Sequence, residues 1–524
     1  MRWGNERGQA ILLVAVASGI FLVGAIGLSV DAAQLYLHRQ VAQTAADAAA
    51  EAGAMSIFGG TWNTSGFGTA GYTCTNGTDA TSPCIYARSN GFGLSGSTDT
   101  VLIEFPSSVD SGVVLSSDPV FAHAAVRATI TRNVPNSFMR LLGAGPTTQI
   151  KAIGVAGIIQ NTVPVPILVL HPTLPGALSL GGTPAITICG GPQRSIQVNS
   201  TDSGAVSVGG TATIDLSKGG PSDTNGDCTT PGTGSDLGAF GGPPPPASTP
   251  PVPSWMYPSG GSPGSTEHYL EPSAPIGDPL KNIPYPPKPA TPAPPPTPPP
   301  GAASGDYNQV GHGCTTGTSS KPCDLYHPGL YPSGIEVKNE IAIFSPGVYW
   351  IDDTGSKPNG FTGAANGTMM MCADCTADTS THGTGNTGML VYIHHNGTFN
   401  VGANGNASLL GSDFTSDYKG VLFFEDRNAP ANTGSGSHTL GGGGNLTLTG
   451  TIYVTNCSTG DTGCTNAMSP TIYQNIRLRG NSGNTTLVKG EIVTSALDLG
   501  GGGTITMQLN PTNILLINKV ALVR

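Results

Sequence analysis

Two groups of residues in the sequence could carry chemistry. The first is Cys372-Ala373-Asp374-Cys375, which is followed by His382, His394 and His395. Thiolate sulfur and imidazole nitrogen are ligands that Zn²⁺ prefers in proteins, so this group could hold zinc. Neither a second Cys pair nor a regular spacing of the histidines accompanies it, and a disulfide is the favoured interpretation. The sequence therefore predicts no metal site.

The second group consists of carboxylates. Asp352-Asp353 and Glu425-Asp426-Arg427 place acidic residues side by side, as general acid/base work on a sugar polymer requires. Each set also stands at the end of a predicted strand, and Arg427 can pair with its acidic neighbours locally. The structural interpretation is favoured, so no catalytic residue and no cofactor is predicted.

Composition limits the elements that could position these residues. Gly and Pro together contribute 120 of the 524 residues, whereas charged residues make up only 10%. An average domain has about 12% Gly plus Pro and about 25% charged residues. The chain is therefore neither a long all-helical protein nor a charge-rich disordered tail, and strands and turns are expected. The net charge of −10 argues against nucleic acid as a partner.

The N-terminal part contains a long apolar run. Ala10 to Val30 carries no charge over 21 residues, enough at ~1.5 Å per residue to cross ~30 Å of hydrocarbon. Arg2 and Arg7 precede the run and Asp31 follows it, so the positive-inside rule predicts a cytoplasmic N-terminus and a periplasmic or extracellular remainder. The alternative is a cleaved signal peptide, whose apolar core is normally about 7 to 15 residues long. We therefore predict a single-pass protein of the cytoplasmic membrane.

The helix is predicted to continue beyond the membrane. Asp31 to Ala54 contains ten Ala and no Pro, and Ala is the best helix former. A single rod from Gln9 to Ala54 is therefore expected. Small residues within the apolar run have the spacing that lets another helix approach closely, at Ala15, Gly19, Ala25 and Ser29.

Three short sequence motifs (phrases) in this segment resemble those of a known protein family. They are Glu6-Arg7-Gly8-Gln9-Ala10 before the apolar run, Val30-Asp31-Ala32-Ala33-Gln34-Leu35-Tyr36 at its end, and Gln43-Thr44-Ala45-Ala46-Asp47-Ala48-Ala49-Ala50. Over about the first 55 residues, they resemble the N-terminal segment of TadE/TadG-like pilus-assembly proteins. The resemblance implies a membrane anchor with a large extracytoplasmic part and a role in assembling tight-adherence (Flp-type) pili. It also implies that other pilus-assembly proteins are partners of the N-terminal helix.

A type IV prepilin is a poorer comparison for the same segment. If cleavage followed Gly8, the fifth mature residue would be Leu13, where polymerising pilins carry Glu. The chain is therefore expected to be an accessory protein rather than a filament subunit.

Ten Cys residues follow the apolar run. An even number of Cys on the exported side of a membrane predicts disulfides, although the sequence alone does not fix their connectivity. The residues fall into five local pairs: Cys74 and Cys84, Cys189 and Cys228, Cys314 and Cys323, Cys372 and Cys375, and Cys457 and Cys464.

The chain beyond residue 54 is predicted to contain four further regions. A small α+β membrane-proximal domain at 55–160 has strands at Ala122–Arg132 and Gln149–Ile159 with a short helix at Pro135–Leu142 between them. A β-rich repeat region is expected at 161–240 and a β-helix-like domain at 311–524. The intervening linker at 241–310 holds 23 of the 44 Pro within 241–300 and is predicted to act as a semi-rigid spacer.

Internal repeats indicate how the β-rich regions are built. The phrase Ala177–Thr183 recurs as Ala205–Thr211, and Leu440–Leu448 recurs as Leu499–Met507. Short alternating strands separated by Gly turns, with repeated rungs, predict a solenoid of the parallel β-helix kind. A β-sandwich is the alternative.

Two functions of different class follow. The favoured one is a non-enzymatic, membrane-anchored accessory protein of pilus assembly or cell-surface adhesion. The alternative is a β-helix protein that acts on or binds a surface polysaccharide. A surface glycan or a host ligand is accordingly an expected partner of the β-rich part. The favoured function accounts for the N-terminal phrases and the scarcity of ionisable residues, which the alternative does not.

Overall fold

The computed structural model describes most of the chain. The described residues are 6–58, 71–109, 113, 115, 123–162, 165–229, 232–249, 251–257, 260–281, 283–294, 312–353, 360–364, 366–375, 387–395, 397–401, 405–412, 418–430, 438–441, 444–461, 463–480, 485–502, 504–509 and 516–523. They form two compact units. The first contains Met1–Asn161 and Asn518–Arg524, and the second contains Thr162–Ile517.

The first unit combines two helices with an antiparallel sheet. Helix α1 is Glu6–Phe58, so the predicted long apolar helix is confirmed and extends a few residues beyond both predicted ends. Helix α2 is Ser82–Ser89, which the sequence analysis did not anticipate. The sheet contains, in order, β1 (Tyr72–Thr73), β2 (Thr100–Glu104), β3 (Ala125–Pro135), β4 (Thr147–Thr162) and β32 (Leu516–Leu522).

The strands predicted at 122–132 and 149–159 correspond to β3 and β4. They pair directly and antiparallel, with Ala125 opposite Gly157. The helix predicted between them is a single 3-10 turn, Met139–Leu142, rather than an α-helix. Gly143 ends it in a left-handed conformation with φ of 90°, which Gly adopts without steric cost.

The outer half of α1 packs on this sheet through its smallest side chains. Ala42, Ala45, Ala46, Ala49, Ala50 and Ala54 are all fully buried in one core cluster with residues of β2, β3 and β4. On the sheet side, a Cβ added at Gly154 would overlap the backbone carbonyl of Ala46. Gln43 fixes the register, since its side-chain amide donates to the carbonyl of Ile153 at 2.7 Å. Helix and sheet thus approach to backbone contact.

The second unit contains three sheets. The nine-stranded sheet has the order β10 (Thr213–Asp215), β7 (Ala185–Gly190), β31 (Thr504–Leu509), β28 (Thr485–Lys489), β25 (Leu446–Thr449), β22 (Asn406–Leu410), β19 (Thr368–Met371), β16 (Ile341–Phe344) and β13 (Cys323–Tyr326). The ten-stranded sheet has the order β12 (Tyr269–Leu270), β11 (Asp236–Ala239), β8 (Arg194–Val198), β5 (Ile167–Val169), β29 (Ile492–Thr494), β26 (Thr451–Val454), β23 (Val421–Glu425), β20 (Met389–His395), β17 (Gly347–Asp353) and β14 (Gly329–Tyr331). The eight-stranded sheet has the order β15 (Ile335–Val337), β18 (Phe361–Gly363), β21 (Phe399–Val401), β24 (His438–Leu440), β27 (Asn475–Gly480), β30 (Ala496–Gly501), β6 (Leu178–Gly182) and β9 (Val206–Val208).

Consecutive strands of this unit lie in different sheets, except β11 and β12, which pair with each other in the ten-stranded sheet. The chain passes from β13 in the nine-stranded sheet to β14 in the ten-stranded sheet and β15 in the eight-stranded sheet, and β16 returns beside β13. Neighbouring strands are parallel, as in the pairs β13 with β16 and β14 with β17. The predicted mostly-β structure is therefore confirmed, and its sheets in this unit are parallel. We call one pass through the three sheets a coil.

The sequence repeats coincide with the strand register. Leu178 of β6 lies opposite Val206 of β9, as the first repeat requires. The second repeat joins strands two positions apart, since Leu440 lies opposite Leu478 and Leu478 opposite Leu499. Aliphatic side chains at one register position thus form a buried column from coil to coil.

The coils do not stack in chain order. Strand β31, at the end of the second unit, pairs with β7, and β29 pairs with β5. The coil that begins at β13 consequently lies at the far end of the sheets from β12, although only residues 271–322 separate the two strands in sequence.

Residues 276–281 and 283–293, which we call the strap, lie along the outer face of the ten-stranded sheet. Leu280 is fully buried there with Leu168 and Val348. Carbonyl groups of the strap accept hydrogen bonds from the sheet, including Pro284 from the Tyr418 hydroxyl at 2.8 Å. An extended proline-rich segment forms few hydrogen bonds within itself, so most of its carbonyls are available for such contacts. Within the strap, the Ile283 N–H donates to the Leu280 carbonyl at 3.0 Å. This part of the predicted linker is packed against the unit rather than acting as a spacer.

The close approach of α1 to β4 generates a prediction. Gly154→Leu places a side chain where the Ala46 carbonyl lies, and overpacking of this kind typically costs about 1–3 kcal/mol. The outer half of α1 is expected to detach, which exposes the helix to trypsin at Arg39. The rate of cleavage after Arg39, followed in the full chain in detergent micelles, is expected to rise.

The matched control is Gly181→Leu, because a Cβ at Gly181 meets nothing within 4 Å. Equal cleavage rates in the two variants would show that the helix does not depend on this approach.

Candidate functional site on the N-terminal helix

Most of the inner half of α1 is exposed in the described structure. Its large apolar side chains are exposed: Ile11, Leu12, Leu13, Val14, Val16, Ile20, Phe21, Leu22, Val23, Ile26, Leu28 and Val30. The predicted small-residue positions Ala15, Gly19, Ala25 and Ser29 are exposed as well. Among the described residues, α1 is the one helix long and apolar enough to cross a membrane. It is a candidate membrane span or signal segment.

Two residues near the outer end of the apolar run contact the rest of the unit. Gly27 and Asp31 are four residues apart on one face of α1, and both are buried. Gly27 packs against Phe138, since a Cβ at Gly27 would lie 2.5 Å from the Phe138 ring. The two residues join the inner half of α1 to the connection between β3 and β4.

The Asp31 carboxylate binds the backbone of that connection. It accepts hydrogen bonds from the backbone N–H groups of Ser137, Phe138 and Met139, with N···O distances of 3.2, 2.8 and 2.6 Å. These bonds, the strongest being that from Met139, hold the pKa of Asp31 below its usual value. A charged residue at the end of an apolar helix is thereby satisfied without a cation. The sequence analysis used Asp31 only to orient the span and missed this role.

Beyond Asp31 the exposed face of α1 includes three large apolar side chains among polar ones such as Arg39 and Gln40. Tyr36, Leu37 and Val41 are 66%, 62% and 44% exposed. The opposite face carries the alanines of the third phrase identified in the sequence, which pack on the sheet. One face of the outer half of α1 therefore packs on the sheet, and the other face is exposed.

All ten cysteines are in disulfides. The structure joins Cys74 to Cys84, Cys189 to Cys228, Cys314 to Cys323, Cys372 to Cys375 and Cys457 to Cys464. Four of the bridges close loops of 3 to 10 residues and restrain local turns, whereas Cys189–Cys228 spans 39 residues and links the end of β7 to the chain beyond β10.

Of the three histidines in the zinc alternative, the structure describes the side chain of His394, which does not lie at Cys372 and Cys375. His394 lies beside carboxylates instead, while His382 and the side chain of His395 fall outside the described residues. The imidazole near the disulfide belongs to His312, whose Nδ1 is 2.7 Å from Asp374 Oδ1 and 3.5 Å from Cys372 Sγ. With both sulfurs in a disulfide, no thiolate is present to bind zinc.

The predicted carboxylates at 352 and 426 are brought together by His394. Its Nδ1 is 2.8 Å from Asp352 Oδ1, and its Nε2 is 3.4 Å from Asp426 Oδ2. Asp352 also pairs with Lys288 of the strap. Burial alone would raise the pKa of Asp352, but the hydrogen bonds from His394 and Lys288 outweigh it and lower the pKa to about 2. The cluster joins the strap to the ten-stranded sheet.

The neighbouring carboxylate, Glu425, points to the other side of the sheet. It is 1% exposed and its Oε1 lies 3.0 Å from Nε2 of the buried His438. Burial raises the pKa of Glu425, although His438 opposes the shift. Arg427 does not pair with its acidic neighbours as expected, because its guanidinium donates to the strap carbonyls of Leu280 and Ile283. The side chain of Asp353 falls outside the described residues.

The ion pairs of Asp352 generate a prediction about acid stability. Its folded pKa of about 2 is below its ordinary 3.8. The ionised form therefore stabilises the fold above about pH 4, and this contribution is lost as the pH falls towards 2. Asp352→Asn should lower the free energy of unfolding by about 1–2 kcal/mol near pH 6, since the remaining groups keep part of the contacts.

The measurement is the urea midpoint of the full chain near pH 6 and near pH 2.5, with the exposed Glu336→Gln as the matched control. The deficit of Asp352→Asn is expected to shrink to roughly a third of its size near pH 2.5, because a carboxyl with a pKa of about 2 is still partly ionised there. A deficit of equal size at both pH values would contradict the assignment.

Comparison with known proteins finds a family match on the N-terminal helix. Residues 8–56 match the family described as putative Flp pilus-assembly TadE/G-like. A solved structure, the competence-associated pilin ComZ from Thermus thermophilus, is 8% identical and covers 81% of this chain and 84% of its own, with a TM-score of 0.20. That score is too low for any argument about fold or function. No curated protein matches the chain. The resemblance of the N-terminal segment to TadE/TadG-like pilus-assembly proteins is confirmed, and it coincides with α1.

Proposed function

We propose that the chain is a membrane-anchored, extracytoplasmic and non-enzymatic accessory protein of Flp-type pilus assembly or pilus-dependent adhesion. The observation that carries the proposal is the coincidence of the family match at residues 8–56 with α1. The matched segment contains both a largely exposed apolar half and an outer half packed on a sheet. It can therefore anchor the chain and hold a folded part next to the membrane.

The orientation follows from charge. Arg2 and Arg7 on the N-terminal side retain that end in the cytoplasm, and Asp31 onward is exported. The five disulfides agree with this orientation, because such bonds persist in oxidising compartments outside the cytoplasm. A retained anchor, rather than a cleaved signal, fits the continuous helix across Val30 and the contacts that Gly27 makes with Phe138.

The exported body is proposed to be a three-sided parallel β-helix. The passage of consecutive strands through three parallel sheets supports this architecture over a sandwich. The buried aliphatic columns and the stacking of coils are its physical basis, since each coil buries its inner face against its neighbours. The region supplies a stiff body that displays surface loops on the exported side. A surface glycan or host ligand is the partner that we propose for those loops.

The absence of catalysis is proposed from the surroundings of the carboxylates. Asp352 is held between Lys288 and His394, and Glu425 is buried against His438. A general acid needs access to its substrate, and these groups are engaged in holding the sheet together. No observation favours the polysaccharide-acting alternative.

The partners of the anchor are proposed to be other pilus-assembly proteins. The apolar side chains of residues 11–30 offer a surface within the membrane, and Leu37 and Val41 extend it outward. Helices in lipid associate through packing of such surfaces, so the order of the side chains should matter and not only their hydrophobicity.

An exchange of the apolar run tests the proposal. Residues 10–30 are replaced by an unrelated Leu/Ala span of the same length that keeps Gly27, so that the contact with Phe138 is preserved. The chain should stay in the membrane fraction and remain accessible to protease in spheroplasts, but pilus-dependent adhesion should be lost.

The localisation assays serve as the control for the exchange, because they separate anchoring from assembly. Full adhesion with the unrelated span would mean that the segment is only an anchor. Protection of the C-terminal region from protease would refute the proposed orientation.

A further inference from the structure

The connection between β3 and β4, residues 136–146, lies beside the outer end of the apolar run. The Asp31 carboxylate accepts hydrogen bonds from the backbone N–H groups of residues 137 to 139 in this connection. Gly27 packs against the Phe138 ring. Gly27 is three residues inside Val30, the last residue of the run, which is about 4.5 Å along the helix axis. The Phe138 ring therefore lies at the depth where the hydrocarbon of a spanned membrane gives way to head groups.

The composition of this connection suits that depth. Its sequence is Asn136-Ser137-Phe138-Met139-Arg140-Leu141-Leu142-Gly143-Ala144-Gly145-Pro146, with four large apolar residues, one Arg and no acidic residue. Phe138 is 39% exposed although it packs on Gly27, and Arg140 is exposed. Aromatic and basic side chains are typical of the boundary between hydrocarbon and water. Arg can pair there with lipid phosphate.

We propose that residues 136–146 form a second membrane contact, which binds the outer head-group region of the phospholipid bilayer. The inference rests on the proposed membrane anchor and adds the lipid surface as a partner of the first unit. With α1 alone, that unit could rotate about the helix axis and tilt against the membrane. A second contact, fixed to α1 by Asp31, restricts both movements.

The mechanism depends on the rigidity of the link. Three hydrogen bonds to one carboxylate hold the backbone of the connection, so the side chains at 138 and 140 keep a constant height relative to α1. Insertion of apolar side chains at this depth is favourable by roughly 25 cal/mol per Å² of apolar area removed from water. A bilayer is preferred to a protein partner as the occupant because the contact is continuous with the span itself.

Depth-dependent quenching in lipid nanodiscs tests the inference on the full chain. All ten native cysteines are in disulfides, so a single added Cys can be labelled selectively with an environment-sensitive fluorophore. Ser137→Cys reports on the connection, because its side chain is exposed. Ile20→Cys reports on the middle of the span. Glu51→Cys, exposed on the outer half of α1, is the matched control outside the membrane.

The nanodiscs carry nitroxide either near the head groups or near the bilayer centre. The fluorophore at position 137 should be quenched mainly by the shallow nitroxide, and the fluorophore at position 20 mainly by the deep nitroxide. The fluorophore at position 51 should be quenched by neither. Quenching at 20 without quenching at 137 would overturn the inference and leave the anchor intact. Absence of quenching at 20 would overturn the anchor as well.

A further variant separates lipid from protein as the occupant. Blue-shifted emission at 137 that neither nitroxide quenches would indicate a second copy of the chain on the connection, which contradicts the lipid contact. Arg140→Gln, combined with the label at 137, should weaken shallow quenching more in anionic than in uncharged lipid. Equal quenching in both lipids would refute the part assigned to Arg140.

Discussion

The approach of α1 to the antiparallel sheet is the constraint on which the N-terminal unit depends. Alanine on the helix and Gly154 on β4 let the two backbones meet, and Gln43 fixes their register through Ile153. Larger side chains at this interface would push the helix away from the sheet. Because the apolar half belongs to the same continuous helix, the packing also fixes the direction in which the apolar run leaves the unit. Just beyond the apolar run, Asp31 adds hydrogen bonds that join the helix to the connection between β3 and β4.

The second unit follows a different principle. Its stability comes from the repetition of parallel strands, in which columns such as Leu440, Leu478 and Leu499 continue from coil to coil. The strap crosses the ten-stranded sheet and is held by Tyr418, by Arg427 and by the ion pair of Lys288 with Asp352. The carboxylates that resembled catalytic pairs in the sequence thus hold chain segments together.

The sequence predicted the features that arise from local composition or from repetition. The alanines before Ala54 were sufficient to predict the helix, and the repeat spacing matched the register of Leu178 with Val206. Contacts between residues that are distant in the sequence could not be predicted. Nothing near Asp31 indicates that its partners lie more than 100 residues away, and nothing near His394 indicates that it bridges two carboxylates. The pairing of β31 with β7 likewise could not be predicted from the sequence, because strand order depends on which coils come together in the folded chain.

The most direct test of the account is hydrogen–deuterium exchange of the full chain in lipid nanodiscs, followed along α1. If the anchor and the stalk are one helix packed on the sheet, amides should be protected continuously from residue 11 through Asp31 to Phe58. Protection that ends near Val30, with fast exchange from residues 32 to 58, would contradict the account. It would show that the membrane segment and the folded unit are joined by a flexible chain.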